Sequence, residues 1–119
     1  MDMLIITMTL LIALLIFLFP APSHAETNVA SWYGGRPHGR TTASGETYDE
    51  RKFTAAHPSL PFGTILLVCF EYCTFVRVID RSPVDDGSDL YISRAAARLI
   101  GWTAPVPELV WTQVIDVPE

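Results

Sequence analysis

Between Ser44 and Gly63 the sequence gathers Glu46, Asp49 and His57 among glycines and prolines that fix the path of a chain. A second acidic segment follows, Val76-Arg77-Val78-Ile79-Asp80-Arg81-Ser82-Pro83. Carboxylates and an imidazole are the side chains that move protons near neutral pH, so these two segments are where proton-transfer chemistry is expected. Asp80 closes an apolar run, and partial burial there favours the protonated form that a general acid needs. Each residue also has an ordinary reading. Asp80 pairs with Arg81 in a turn, Glu46 is solvated loop surface, Asp49 caps free backbone N–H groups, and His57 is hydrogen-bonded beside a strand end.

The elements that must hold these side chains are short. Residues 29–33 alternate small and large like a first strand, and the glycines and proline of 34–39 break it. Asp49 is expected to open a helical turn through Phe53, followed by a strand at 54–56 that stops before Pro58. Leu60-Pro61-Phe62-Gly63 turns into a hairpin with strands at 65–68 and 74–79. Ser93 reads as a helix N-cap, 94–100 as a short amphipathic helix, and Gly101 as its stop. Residues 109–115 read as a closing strand. Many short strands and one or two helical turns make the class mainly β, a small barrel or sandwich.

Cys69 and Cys73 flank the turn of that hairpin. In an oxidising compartment they form a disulfide worth about 2 kcal/mol by loop entropy; the alternative is a pair of free core thiols. One cysteine pair without further ligands is not a zinc site, and a redox centre has two intervening residues rather than three. No Gly-rich phosphate loop or ligand spacing calls for a nucleotide, metal or other cofactor.

The N-terminus reads as a signal peptide over residues 1–25, leaving one domain at 26–119. Residues 4–19 are almost wholly apolar; as a helix they span about 24 Å, short of the roughly 30 Å hydrocarbon core. Ser23 and Ala25 supply the small residues before a cut at Glu26. The expected location is secreted or periplasmic, with an uncleaved membrane anchor as the alternative, since Met1-Asp2-Met3 carries no basic residue. With 13 Asp and Glu against 8 Lys and Arg, the net charge of −5 disfavours a nucleic-acid partner.

Taken in order, the motifs resemble the rare lipoprotein A (RlpA)-like family. The carrying segments are Ala30-Ser31-Trp32-Tyr33-Gly34, His38-Gly39-Arg40-Thr41-Thr42-Ala43-Ser44-Gly45-Glu46-Thr47-Tyr48-Asp49, the run at 54–64, Val78-Ile79-Asp80-Arg81-Ser82-Pro83, and Ser93-Arg94-Ala95-Ala96-Ala97. The resemblance implies a six-stranded double-psi β-barrel, the fold of barwin and expansins. It also implies an endolytic lytic transglycosylase acting as a monomer on peptidoglycan glycan strands. Such an enzyme cleaves between N-acetylmuramic acid and N-acetylglucosamine and leaves 1,6-anhydro ends. The matched positions make Asp80, Glu46, Asp49 and His57 the catalytic set, with Asp80 as acid/base. Trp32, Tyr33, Arg81 and Asp89 become substrate-binding candidates. The chain departs from the family pattern at Ser82, where the family has Gly, and at Tyr91, where it often has Asp. The alternative reading is a non-catalytic, expansin-like module that binds cell-wall glycan.

Overall fold

Alternating burial along Ile65–Cys69 marks a strand with one face in a core, and its neighbour Cys73–Asp80 folds back on it in register. These are β3 and β4 of a computed structural model that describes residues 25–32, 38–82, 88–104 and 106–119. The other elements are β1 (Ala25–Trp32), β2 (Thr54–Ala56), β5 (Leu90–Ile92), α1 (Arg94–Leu99) and β6 (Glu108–Asp116). Residues 1–24 of the expected signal segment, Tyr33 and the loop at 83–87 lie outside the described residues.

The strands close into a barrel in the order β1-β5-β2-β4-β3-β6. Two neighbouring pairs, β1 with β5 and β2 with β4, run parallel, and the remaining pairs are antiparallel. This is the six-stranded double-psi β-barrel. Closure leaves no sheet edge with unpaired backbone groups. The interior is filled by Ala30, Leu66, Val68, Val76, Val78, Leu90, Ile92 and Val110, and α1 adds Ala96, Ala97 and Ile100.

The helix begins and ends as its sequence dictates. Ser93 Oγ accepts from Ala96 N–H, and Gly101 takes φ 87°, a conformation that costs any residue with a Cβ. A Cβ at Gly101 would also come within 2.7 Å of the Glu71 carboxylate, because the hairpin tip packs there. The Ile100 carbonyl accepts from the Glu71 and Tyr72 N–H groups, joining the helix end to that tip.

Three local features differ from the sequence reading. β1 starts at Ala25 rather than 29, because residues 25–30 pair with 108–113 of β6. Residues 49–52 form a hydrogen-bonded turn, Lys52 N–H to Asp49 O at 3.1 Å, instead of a helical turn. β5 carries no local signal of its own: three residues cannot display a period, and burial on both faces erases alternation.

Cys69 and Cys73 are disulfide-bonded and are direct Cα partners across the hairpin. Reduction of this bond is expected to lower the unfolding free energy by about 2 kcal/mol without loss of the fold; urea unfolding of oxidised and reduced protein measures it.

Candidate functional site

The outer face of β5, β2 and β4 is covered by the loop 38–48. That loop is a small hairpin in itself: Thr41 bridges Thr47, Gly45 N–H bonds to Thr42 O, and Gly45 sits at φ 90°. Ser44 N–H reaches the Ile79 carbonyl and ties the loop to β4. Beneath it Tyr48, Ala56 and Tyr91 form a second buried cluster. Residues that alternate with the barrel core are therefore buried too.

Asp80 reaches this face through a β-bulge. Ala55 is the partner of Val78, but Ala56 is the partner of Asp80, so Ile79 is skipped. A bulge of this kind re-aims the side chain that follows it. Ala56 is also the partner of Tyr91, which sets Asp80, Ala56 and Tyr91 in one row across three strands. Ala56 is the smallest side chain of that row and is wholly buried. Asp80 Oδ1 accepts from Ala43 N–H at 3.0 Å and from Arg81 N–H at 2.8 Å. One donor comes from the covering loop and one from the strand exit, and together they fix the carboxylate. Asp80 lines an open cleft of about 460 Å³ with Arg40, Thr41, Thr42, Ala43 and Arg81.

The other carboxylates fall elsewhere. Glu46 and Asp49 line a separate depression of about 250 Å³ that includes Lys52 and Arg77. Arg77 Nη1 donates to both oxygens of Glu46, at 3.0 and 2.9 Å. Asp49 Oδ1 accepts from the backbone N–H of Arg51 at 2.9 Å and from its Nε at 3.1 Å. These bonds from the Arg51 side chain and backbone hold the Asp49 carboxyl below its usual range. A carboxylate so held keeps its charge and suits a turn anchor better than a proton donor.

His57 also serves the local chain. Its Nδ1 accepts from Ser59 and Leu60 N–H, at 3.1 and 3.0 Å, which assigns the proton of the neutral ring to Nε2. Its backbone N–H bonds to Asp80 O, so it is tied to the acid's own strand end. Burial pushes the imidazole below its usual range; Arg81 adds to this, while Glu26 and Asp89 oppose it. Arg81 Nη1 donates to Leu60 O at 2.8 Å and His57 O at 3.3 Å, and its guanidinium lies 4.0 Å from the centre of the Phe62 ring. Arg81 thus braces the loop 57–62 against the exit of β4.

Asp89 is exposed, with its N–H on Val29 O and its carbonyl accepting from Ser82 Oγ at 3.2 Å. The serine that replaces glycine after Asp80-Arg81 therefore links this exit to the approach of β5. Trp32 packs against the core and donates Nε1–H to Ala104 O, away from the Asp80 row. Arg77 was not singled out by the sequence reading. Its signal was a lone cation in the otherwise apolar run 75–79.

Comparison with known proteins agrees with this architecture. Among solved structures, the Streptomyces papain inhibitor superposes with a TM-score of 0.64 at 17% identity, covering 82% of this chain and all of that one. The apo expansin of Clavibacter michiganensis gives 0.60 at 20% identity, covering 80% of this chain and 52% of that one. A family model described as "Lytic transglycolase" matches residues 25–107. The chain belongs to that family of double-psi barrels, and it is RlpA-like. The "Endolytic peptidoglycan transglycosylase RlpA" of Neisseria meningitidis serogroup A is 44% identical over 80 residues, 65% of this chain and 34% of the relative. The chain thus spans about a third of the length of that relative.

The His57 environment sets a pH dependence. Its depressed native pKa means that, as pH falls below the ordinary histidine value of about 6.5, the unfolded chain takes up a proton before the native one does. Stability from this group is complete above that value and is lost as pH falls through the native pKa. His57→Asn keeps an acceptor near the Nδ1 position and cannot titrate. Its melting temperature is expected to fall less than the wild type's between pH 7 and pH 5 in paired thermal scans.

Proposed function

We propose that this chain is a lytic transglycosylase of peptidoglycan glycan strands, with Asp80 as the single acid/base. The carrying observation is the Asp80 carboxylate, re-aimed by the bulge, pinned at Oδ1 by two backbone N–H groups and facing an open cleft. The similar Neisseria protein is named for this activity, and the family match covers the segments that build the cleft.

Asp80 delivers the proton to the leaving N-acetylglucosamine oxygen as the glycosidic bond breaks. The carboxylate left behind stabilises the oxocarbenium-like sugar and takes the proton of the muramic 6-hydroxyl. The oxygen of that hydroxyl closes on C1 to give the 1,6-anhydro end. No water enters, so one carboxyl group suffices. Glu46, Asp49 and His57 act in this reading as positioning residues, through Arg77, the 49–52 turn and the 57–60 turn respectively. Cleavage within strands, action outside the cytoplasm after loss of residues 1–25, and function as a monomer complete the proposal.

Oxidised protein spanning residues 26–119 is expected to release anhydro-ended fragments from peptidoglycan, intact or stripped of stem peptides, as read by mass spectrometry. Asp80→Asn should lower that release by at least a hundredfold while the melting temperature stays within a few degrees. Reducing-end products would indicate a hydrolase. If the protein cosediments with peptidoglycan and nothing is released, the expansin-like binding module replaces the enzyme.

A further inference from the structure

Arg94 and Arg98 stand four positions apart on α1, so their side chains share one face of the helix. Both line a shallow cleft of about 480 Å³ with Arg51, Glu50, Phe53 and Leu99. Both also line a smaller cleft of about 200 Å³ beside the indoles of Trp32 and Trp102. The two arginines thus line both hollows, the second of which is aromatic. The larger hollow holds three of the chain's 8 basic residues against one glutamate, on a protein whose net charge is −5.

The pairing of these arginines is incomplete. Arg94 Nη1 lies 3.7 Å from Glu50, beyond hydrogen-bond reach, and Arg94 Nε is buried with no hydrogen-bond partner. Arg98 makes no ion pair among the described residues. By contrast Arg51, Arg77 and Arg81 are each committed to a carboxylate or to carbonyl oxygens. Arg94 keeps 43% of its side chain exposed and Arg98 is exposed, so their guanidinium ends are open to an acceptor from outside the chain.

We infer that the Arg94–Arg98 pair is a binding site for a carboxylate carried on a sugar or short peptide. Guanidinium groups match a carboxylate geometrically. Glu50 at the rim penalises a doubly charged phosphate more than a singly charged carboxylate. Phe53, Leu99 and the two indoles offer contact for the C–H faces of the group that bears it. The inference rests on the wall-glycan reading for its ligand, and peptidoglycan presents this chemistry from two sources. One is the lactyl carboxylate of muramic acid on a stripped strand, and the other is the terminal carboxylate of a stem peptide.

The test is a chemical-shift titration of 15N-labelled protein with N-acetylmuramic acid, N-acetylglucosamine and a short stem peptide, followed at the arginine Nε–H and tryptophan indole signals. N-acetylmuramic acid or the peptide should move Arg94, Arg98, Trp32 and Trp102 but not Trp111, and N-acetylglucosamine should move none of them. Which acid ligand titrates identifies the source. Arg98→Gln and Arg94→Gln should each weaken binding about tenfold, with the amide spectrum otherwise preserved. An equal response to the uncharged sugar, no response to either acid, or shifts that persist in both variants overturns the inference. Turnover is not the readout: binding that survives an absence of anhydro products sinks only the transglycosylase reading, and turnover without carboxylate binding sinks only this one.

Discussion

Three residues of β2 hold the barrel and the site together. Thr54, Ala55 and Ala56 are buried, with β4 parallel on one side and β5 antiparallel on the other. Ala55 faces the barrel core, while Ala56 faces the loop 38–48 and lies between Tyr91 and Asp80. A larger side chain at Ala56 would compete with Tyr48 and Tyr91 for a closed space and would strain the row that carries Asp80. The same methyl-sized residue therefore serves both sheet closure and the seating of the loop.

The acidic groups are held by two kinds of interaction with different reach. Glu46–Arg77 and Asp49–Arg51 are solvent-facing ion pairs, individually weak and weakened further by salt. They keep the loops 38–48 and 49–53 in place. Asp80 is instead fixed by main-chain N–H groups, whose positions follow from the bulge and from the loop's own hydrogen bonds. The site's central group thus depends on backbone geometry rather than on the ionic strength around it. His57 and Arg81 extend that geometry by joining the 57–62 loop to the end of β4 through contacts with main-chain atoms.

Legibility from the sequence followed the range of the interactions. The β3–β4 hairpin with its disulfide, and the helix from Ser93 to Gly101, rest on neighbours within a few positions and were read closely. The 49–52 turn was misjudged in detail because an Asp side chain that accepts from the second N–H after it closes a turn as well as it caps a helix. The parallel pairings, β5 and the bulge at Ile79 involve partners from distant parts of the chain, and no local pattern encodes them. The motif resemblance pointed to Asp80, Glu46, Asp49 and His57 together, and the apolar run before Asp80 set it apart as the acid/base candidate. That Glu46 and Asp49 occupy a different depression, and that Arg94 and Arg98 face the two tryptophans, required the three-dimensional arrangement.

The disulfide sits where the chain has already made its own connection. Cys69 and Cys73 are opposed residues of a tight hairpin, held facing each other by β3–β4 pairing as well as by the bond between them. A cross-link over so short a loop removes less freedom from the disordered chain than a long-range one would, and it joins no distant parts of the chain. The bond therefore reinforces one hairpin and leaves the joining of distant strands to the barrel's own hydrogen bonds and core.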